Sequence, residues 1–197
     1  MKFIIATDNP GKITEMQAIL NEIGIDAITR NDLGINIDIE ETGTTFIENA
    51  QIKANKICEI SGLPAIADDS GLVVHALNDE PGVYSSSYGG EVLDSYERCE
   101  YLLKNMENKE QRQAKFVCTI VCAFPNGDSV HATGECNGAI TTEIRGSRGF
   151  GYDPVFIPDG FDKTMAELSV AEKNKISHRG IALRKFSELL TTYNKGV

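Results

Sequence analysis

The chain has 197 residues, of which 41% are hydrophobic and 24% are charged, as in an ordinary globular protein with a sizeable core. Its formal net charge of −10 excludes a non-specific nucleic-acid binder, which needs a basic surface. A small phosphate ligand stays compatible with that charge, because a few local cations or a metal ion can reverse the field at a site. No apolar run approaches the roughly 20 residues of a membrane span, and the first seven residues predict a strand rather than a signal peptide. We therefore expect one cytoplasmic domain spanning residues 1–197.

The first elements predict an anion site. A short apolar strand, Lys2–Thr7, is followed by the loop Asp8–Gly11 and by a helix from Lys12. Unpaired N–H groups and the helix dipole favour anions at such a loop. The string resembles a P-loop, but Ala6 stands in place of its first glycine and Ile13 in place of its metal-binding Ser or Thr. These departures exclude a Walker A ATPase and leave Lys12 as a candidate phosphate ligand.

A second strand region, Asp26–Ile39, ends at the acidic pair Glu40-Glu41. Thr45 and Glu48 have capping-box spacing and predict a helix that continues to about Ile60. The acidic pair is either solvated charge near the positive end of this helix or a source of metal ligands.

Asp68 and Asp69 stand between two apolar runs, Pro64–Ala67 and Leu72–Leu77. If one strand continues through both, only one of the two carboxylates faces a given pocket, because successive side chains alternate. If the chain turns at Gly71, both can do so. The pair is therefore either an acidic turn or a site that binds a divalent cation or activates water.

The middle of the chain predicts a helix over Asp94–Met106 and then a hairpin. Its strands are Ala114–Phe124 and Ser129–Cys136, joined by a turn with Asn126-Gly127. A further β segment is predicted at Ala139–Ile144. Since helices and strands alternate first and hairpins follow, we expect an α/β fold with a mixed sheet. The five cysteines include no CxxC pair and are interpreted as buried hydrophobes.

The C-terminal third combines glycines, aromatic rings and cations. The segment Gly146–Phe156 is either a glycine-rich turn into a strand at Val155–Ile157 or a place where a flat ligand approaches the backbone and stacks on a ring. The segment Glu172–Gly180 then places four potentially cationic side chains within seven residues. Ser177 is a candidate N-cap for a helix with an apolar side made of Ala182, Leu183, Phe186, Leu189 and Leu190. Cations at a helix N-terminus favour an anionic ligand there.

The sequence resembles the inosine triphosphate pyrophosphatase family in six blocks that occur in the family's order. The blocks are T-D-N-P-G-K, E-E-T-G-T-T-F-I-E-N-A, A-D-D-S-G-L-V-V, P-G-V-Y-S, G-F-G-Y-D-P-V-F and A-E-L-S-V-A-E-K-N-K-I-S-H-R. The resemblance covers nearly the whole chain. It implies an elongated α/β fold with a long mixed sheet, two lobes with a nucleotide cleft between them, and a homodimer. It also implies Mg²⁺-dependent hydrolysis of XTP, ITP and dITP to the monophosphate and pyrophosphate, which removes deaminated purines from the nucleotide pool.

The same resemblance implies roles for individual residues. Asp69 would be the general base and a metal-linked carboxylate, Ser70 would contact substrate, and Glu41 would join the metal site, with Glu40 as the alternative. Six residues would bind the triphosphate: Thr7, Asp8, Asn9, Pro10, Gly11 and Lys12. Seven would form the base pocket: Phe150, Gly151, Tyr152, Asp153, Lys173, His178 and Arg179.

The chain departs from the family pattern at two places. Ser86 and Ser87 stand where relatives commonly have an Ala-Arg pair, so a phosphate-facing cation is missing, and Arg98 is the hypothetical replacement. Asp8 stands where many relatives have glycine or serine, and the sequence offers no account of its charge.

The sequence leaves two alternatives to this enzyme. One is a Maf-like nucleotide pyrophosphatase, which the aromatic-glycine block and the S-H-R block disfavour. The other is a nucleotide-binding regulator without turnover, which Lys12, Glu41 and Asp69 disfavour because a pure binder has no need of hydrolytic carboxylates.

Overall fold

The computed structural model describes residues 2–196, with side chains to residue 193. Two compact units are distinguished. Unit 1 consists of Met1–Asp69, Cys118–Gly134 and His178–Val197, and unit 2 of Ser70–Val117 and Glu135–Ser177. Each unit is described by itself, and the single domain stays a prediction.

The strands form a mixed sheet, as predicted. Strand β1 is parallel to β2 and β3, whereas β5 and β6 are antiparallel. The order across the sheet is β2-β1-β3-β4-β5-β6. The strand bounds are β1 Phe3–Ile5, β2 Ala27–Thr29, β3 Ala65–Val74, β4 Gln113–Ala123, β5 Ser129–Ile140 and β6 Phe156–Pro158. The α/β fold is thereby confirmed.

Five α-helices are present among the described residues, and none of them is long and apolar enough to cross a membrane. They are α1 Pro10–Glu22, α2 Phe46–Ser61, α3 Ser95–Asn105, α4 Val170–Ile176 and α5 His178–Gly196. The predicted capping box of α2 is confirmed, because Thr45 and Glu48 exchange hydrogen bonds. Helix α1 begins two residues before Lys12, since the Asn9 side chain caps it and Pro10 fits its first turn.

Two predicted elements differ from the structure, and one helix was not predicted. The second strand ends at Thr29, because Asp32 accepts hydrogen bonds from the backbone and hydroxyl of Thr29 and residues 31–33 form a 3₁₀ turn. The predicted β segment Ala139–Ile144 was wrong beyond Ile140, where β5 ends. Helix α4 was not predicted; Ser169 and Glu172 close a capping box at its start.

Unit 1 contains two hydrophobic clusters. One joins β1, α1, β4 and α5, and the other joins α2 to the first half of β3. The prediction for α5 was right for Ala182, Leu183, Phe186 and Leu190, which are buried, and wrong for Leu189, which is 46% exposed.

Unit 2 has one cluster, built mainly from β3, α3, β4, β5 and β6.

The interpretation of the cysteines as buried hydrophobes is confirmed, because all five are buried and free. Burial raises the pKa of Cys118 to about 12 and that of Cys136 to about 11, so both thiols stay protonated and poorly nucleophilic at neutral pH.

Gly134 fixes the distance between β5 and the start of α5. A Cβ atom there would lie 2.2 Å from the carbonyl oxygen of His178 and 2.5 Å from the amide nitrogen of Ala182. We expect Gly134→Ala to destabilise the protein by about 1–3 kcal/mol, because backbone atoms on both sides must move. Urea unfolding measures the change, and His131→Ala, an exposed position on the same strand, should stay within about 0.5 kcal/mol of the wild type. Equal stability of the two variants would contradict this packing account.

Candidate active site

The two aspartates of A-D-D-S-G lie on one continuous strand, β3, rather than at a turn. Because successive side chains of a strand alternate, Asp68 and Asp69 point to opposite faces of the sheet. Asp68 is fully buried and Asp69 is 7% exposed. The two carboxylates therefore have different partners, although both belong to unit 1.

Asp68 holds two cations. Its Oδ2 accepts hydrogen bonds from Arg179 Nη2 at 3.0 Å and Arg179 Nε at 3.3 Å, and lies 3.2 Å from Lys12 Nζ. Burial alone would raise the pKa of Asp68, but the charges of Lys12 and Arg179 outweigh it and hold the pKa well below its usual range. Arg179, 1% exposed, also donates to Glu15. Asp68 is thus a permanently charged group that orients Lys12.

Asp69 belongs to a second cluster, centred on Lys53. The ammonium of Lys53 lies 3.1 Å from Asp69 Oδ1 and 2.8 Å from Glu41 Oε2, and Asn49 Nδ2 donates to Asp69 Oδ2 at 3.4 Å. Burial, with a smaller contribution from the Glu41 charge, raises the pKa of Asp69 to about 6 against the opposing charge of Lys53. A carboxylate with this pKa can accept a proton near neutral pH.

Lys53 and Asn49 were missed in the sequence. Both lie on α2, spaced i and i+4, and both are buried among the apolar residues of that helix. Burial would lower the pKa of Lys53, but the charges of Asp69, Asp68 and Glu41 outweigh it and raise that pKa. The sequence does contain a pattern that points to them. These two polar residues share one face of an amphipathic helix with Ala50, Ala54 and Ile57, and that face should be apolar.

The structure separates the two glutamates that the sequence left as alternatives. Glu41 shares the Lys53 ammonium with Asp69, whereas Glu40 lines a different cavity with Asp38, Lys56 and Glu59. In residues 2–196, no three His, Cys, Asp or Glu side chains form a metal cluster. Two carboxylates fit Mg²⁺ all the same, because Mg²⁺ is commonly bound by one or two carboxylates together with substrate phosphates and water. Glu41 and Asp69 would be the protein donors of such a site.

The predicted triphosphate loop, Thr7–Lys12, joins β1 to α1. The Thr7 hydroxyl accepts from the amide of Asn9 at 3.2 Å, and the Asn9 side chain accepts from the amide of Lys12 at 3.1 Å. Asp8, whose side chain is 70% exposed, is paired with Arg30 at 2.7 Å. The loop is therefore ordered by its own side chains, with the Lys12 ammonium held at Asp68.

Unit 2 contains a separate cluster of predicted site residues. Asp153 Oδ2 accepts from Lys173 Nζ at 2.5 Å and from the amide of Phe150 at 2.8 Å, and Lys173 Nζ lies 5.1 Å from the centre of the Phe150 ring. Gly149 has φ +75°, and a Cβ atom there would lie 2.0 Å from Asp153 Oδ2. The glycine-rich turn is thus required by this cluster, which contains an aromatic face, a cation and a carboxylate.

Of the two aromatic rings beside these glycines, that of Tyr152 is not available to stack on a ligand. It is 4% exposed and packs in the core of unit 2, and its hydroxyl donates to the carbonyl of Ser85 at 2.9 Å. Burial raises the pKa of this hydroxyl. The half-buried ring of Phe150 is the one suited to stacking.

Arg98, the hypothetical replacement for the missing phosphate-facing cation, has another role. Its guanidinium donates to the backbone carbonyls of Tyr88, Gly90 and Leu93 at 2.9–3.2 Å. It therefore organises the loop that precedes α3.

The remaining predicted residues fall in both units. Ser70 is half-buried at the first position of unit 2, and Gly151 lies in the turn before Asp153. His178 is 5% exposed and begins α5 in unit 1, next to Arg179. Their contacts with substrate stay predictions.

The chain is similar to proteins of known family. A model of the Ham1 family matches residues 3–189. A dITP/XTP pyrophosphatase of Aquifex aeolicus is 48% identical, covering 99% of each chain, and one of Bacillus subtilis is 47% identical, covering 95% of this chain and 96% of the relative. Among solved structures, a HAM1 protein from Coxiella burnetii matches with a TM-score of 0.88 and 42% identity, covering 98% of this chain and 99% of the other. The Ham1 protein of Staphylococcus aureus matches with a TM-score of 0.87 and 39% identity, covering 98% and 100%.

Proposed function

Because the chain belongs to the Ham1 family, we propose that it hydrolyses deaminated purine nucleoside triphosphates, namely dITP, XTP and ITP, to the monophosphate and pyrophosphate. The chain is a nucleoside-triphosphate pyrophosphatase. The observation that best supports this chemistry is the cluster of Asp69, Lys53 and Glu41, in which a buried carboxylate with a raised pKa shares one ammonium with a second carboxylate.

Asp69 acts as the general base on the attacking water. In the metal-free protein its pKa of about 6 leaves it mostly ionised at neutral pH and therefore able to accept a proton. General-base catalysis of this kind contributes about 10²–10⁴-fold to a rate. Asn49, which donates to the other oxygen of Asp69, orients the carboxylate.

Lys12 and Lys53 neutralise the triphosphate. In the structure each ammonium is paired with carboxylates, Lys12 with Asp68 and Lys53 with Asp69 and Glu41. Both lysines therefore lie beside the acidic groups rather than on the outer surface, and a polyanionic substrate gives them further partners. Because these lysines share their charge with carboxylates, a metal ion would supply the further positive charge that a triphosphate needs on a chain with a net charge of −10.

Mg²⁺ is the metal that this donor set would hold, with Glu41 and Asp69 as its protein ligands. When bound, it supplies neutralisation of phosphate charge and a lowered pKa for bound water. In the structure, the Lys53 ammonium contacts both carboxylates and keeps them close to each other.

Selectivity for deaminated purines is assigned to the unit 2 cluster. Hypoxanthine and xanthine present a 6-keto acceptor and an N1–H donor, and adenine presents the reverse. Lys173 can donate to the keto oxygen and Asp153 can accept from N1–H, while the Phe150 ring stacks on the base. Adenine would instead present its amino donor to Lys173 and its N1 acceptor to Asp153, a mismatch that can discriminate by about 10⁴.

The same proposal has a biological part. The enzyme removes deaminated purine nucleotides from the nucleotide pool, and it works as a cytoplasmic homodimer. Neither nucleic-acid polymers nor membranes are partners in this proposal.

A substrate panel tests the proposed function. The chain is incubated with dITP, XTP, GTP, ATP and TTP, with Mg²⁺ or with a chelator, and kcat/KM is measured for each. We expect turnover of dITP and XTP with Mg²⁺, at least about 10³-fold above ATP, and none with the chelator. Comparable rates for ATP or TTP would contradict the assigned selectivity. Turnover in the presence of the chelator would contradict the requirement for Mg²⁺.

A further inference from the structure

The charge of Asp8 at the start of the triphosphate loop now has an explanation. Its Oδ2 accepts from Arg30 Nη2 at 2.7 Å. The two side chains differ in exposure: that of Asp8 is 70% exposed and that of Arg30 is 6% exposed. Within residues 2–196, Asp8 is the carboxylate that pairs with Arg30; the nearby Asp32 accepts instead from Thr29.

Arg30 is held in place by its own backbone. Its amide donates to the carbonyl of Ile5 at 3.1 Å, at the end of β1, and its carbonyl accepts from the amides of Leu33 and Ile35 at 3.2 and 3.0 Å. The guanidinium therefore projects from a fixed point, and Asp8 is the exposed partner. Arg30 determines where the Asp8 carboxylate lies.

The charge of Asp8 affects anion binding because of where Asp8 lies. It precedes Asn9, the cap of α1, by one residue and Lys12 by four. An unpaired carboxylate there would repel a triphosphate and compete with it for the α1 N-terminus and for Lys12. Paired with Arg30, the same carboxylate adds no net charge to the loop.

We propose that Arg30 is a positioning residue for substrate binding, which neutralises Asp8 and holds it away from the anion site at the start of α1. This inference depends on the proposed function only for the identity of the natural ligand. The competing explanation is that the pair simply ties the loop to the end of β2, in which case loss of either partner would harm the loop equally.

The two explanations predict opposite signs for one substitution. If Arg30 compensates charge, Arg30→Gln leaves Asp8 unpaired and weakens binding of inorganic tripolyphosphate by about three- to tenfold at low salt. Asp8→Asn leaves an uncompensated cation and binds as tightly as the wild type or up to about threefold tighter. The double variant, whose loop is again neutral, returns to within about twofold of the wild type.

The experiment is a calorimetric titration of the full chain with inorganic tripolyphosphate, at low ionic strength and at about 0.5 M salt, where the Arg30→Gln penalty should shrink. Arg30→Lys keeps the positive charge that Arg30→Gln removes, so it should bind tripolyphosphate more tightly than Arg30→Gln and close to the wild type. Asp26→Asn is the matched control, because it removes one exposed acid at the opposite end of β2 and should leave the affinity unchanged.

Weaker binding by Asp8→Asn, or a double variant no better than Arg30→Gln, would overturn the proposal in favour of a structural tie. Absence of tripolyphosphate binding by the folded wild type would overturn it as well, because no anion site would exist at the loop. Turnover of dITP by the wild type is measured in parallel. Its absence would contradict the proposed function, while the order of the affinities still decides the role of Arg30.

Discussion

Asp69→Asn should lower kcat for dITP by about 10² or more while leaving nucleotide binding measurable, because the substitution removes the proposed general base and keeps the shape of the side chain. The same variant should be more stable than the wild type at pH 8. Activity and stability move in opposite directions here because Asp69 is a buried carboxylate that the fold accommodates at a cost.

The sign of the stability effect follows from the pKa of Asp69, which burial raises to about 6 from about 3.9 in the unfolded chain. The folded state therefore holds the proton more tightly, and the stability that this provides is lost as the pH rises through about 6. Ionised Asp69 then costs about 1–3 kcal/mol. The advantage of Asp69→Asn should be small near pH 4 and complete above pH 7.

Urea unfolding at several pH values, in buffer with a chelator, measures this difference. Steady-state assays with Mg²⁺ on the same preparations give kcat of the wild type and of the variant at each pH. Turnover close to that of the wild type would remove Asp69 from the role of base, and a less stable variant at pH 8 would contradict the burial argument.

The neighbouring substitution has the opposite effect on stability. Asp68→Asn should destabilise the protein by about 3–5 kcal/mol at pH 7.5, because it leaves the buried guanidinium of Arg179 without its main counter-charge. Lys12 loses its partner at the same time, so substrate binding should weaken too. Asp69→Asn, one residue along the same strand, is the matched control for loss of a buried carboxylate.

The pH dependence of this second effect is also opposite. The cations around Asp68 hold its pKa below the usual range, so its contribution to stability is complete above the unfolded pKa of about 4 and is lost as the pH falls through the lower folded pKa. The difference between wild type and Asp68→Asn should be constant from pH 5 to 8 and shrink in acid. Unchanged stability of Asp68→Asn at pH 7.5 would contradict the assignment.

Local chemistry in the sequence predicted much of the fold. The capping box of Thr45 and Glu48, the Asn-Gly hairpin and the mixed sheet all follow from short-range patterns, and the structure has them. The end of β2 and the start of α4 were not predicted. The end of β2 depends on the Asp32 side chain, which accepts hydrogen bonds from Thr29 in a way that apolar periodicity does not show. The start of α4 has the same capping-box spacing as α2, at Ser169 and Glu172, and was missed in the sequence.

The sequence selects candidate site residues, but it does not show which of them form pairs. The sequence selected Lys12, Glu41 and Asp69, yet only the structure shows that Lys53 joins Asp69 to Glu41 and that Asp68 holds Arg179. These contacts bring together distant segments of the chain, so no local pattern encodes them. The different roles of Asp68 and Asp69 follow from one fact that the sequence left open, the continuity of β3 through both residues.

The central claim is that this chain cleaves a deaminated purine triphosphate to monophosphate and pyrophosphate at a carboxylate centre built on Asp69. Product analysis by ion chromatography, after reaction of the wild type and Asp69→Asn with dITP and Mg²⁺, tests it most directly. The account predicts equal amounts of dIMP and pyrophosphate from the wild type, and at least about 100-fold less of both from the variant at equal time. Orthophosphate with dIDP as products, or equal product formation by the two proteins, would contradict it.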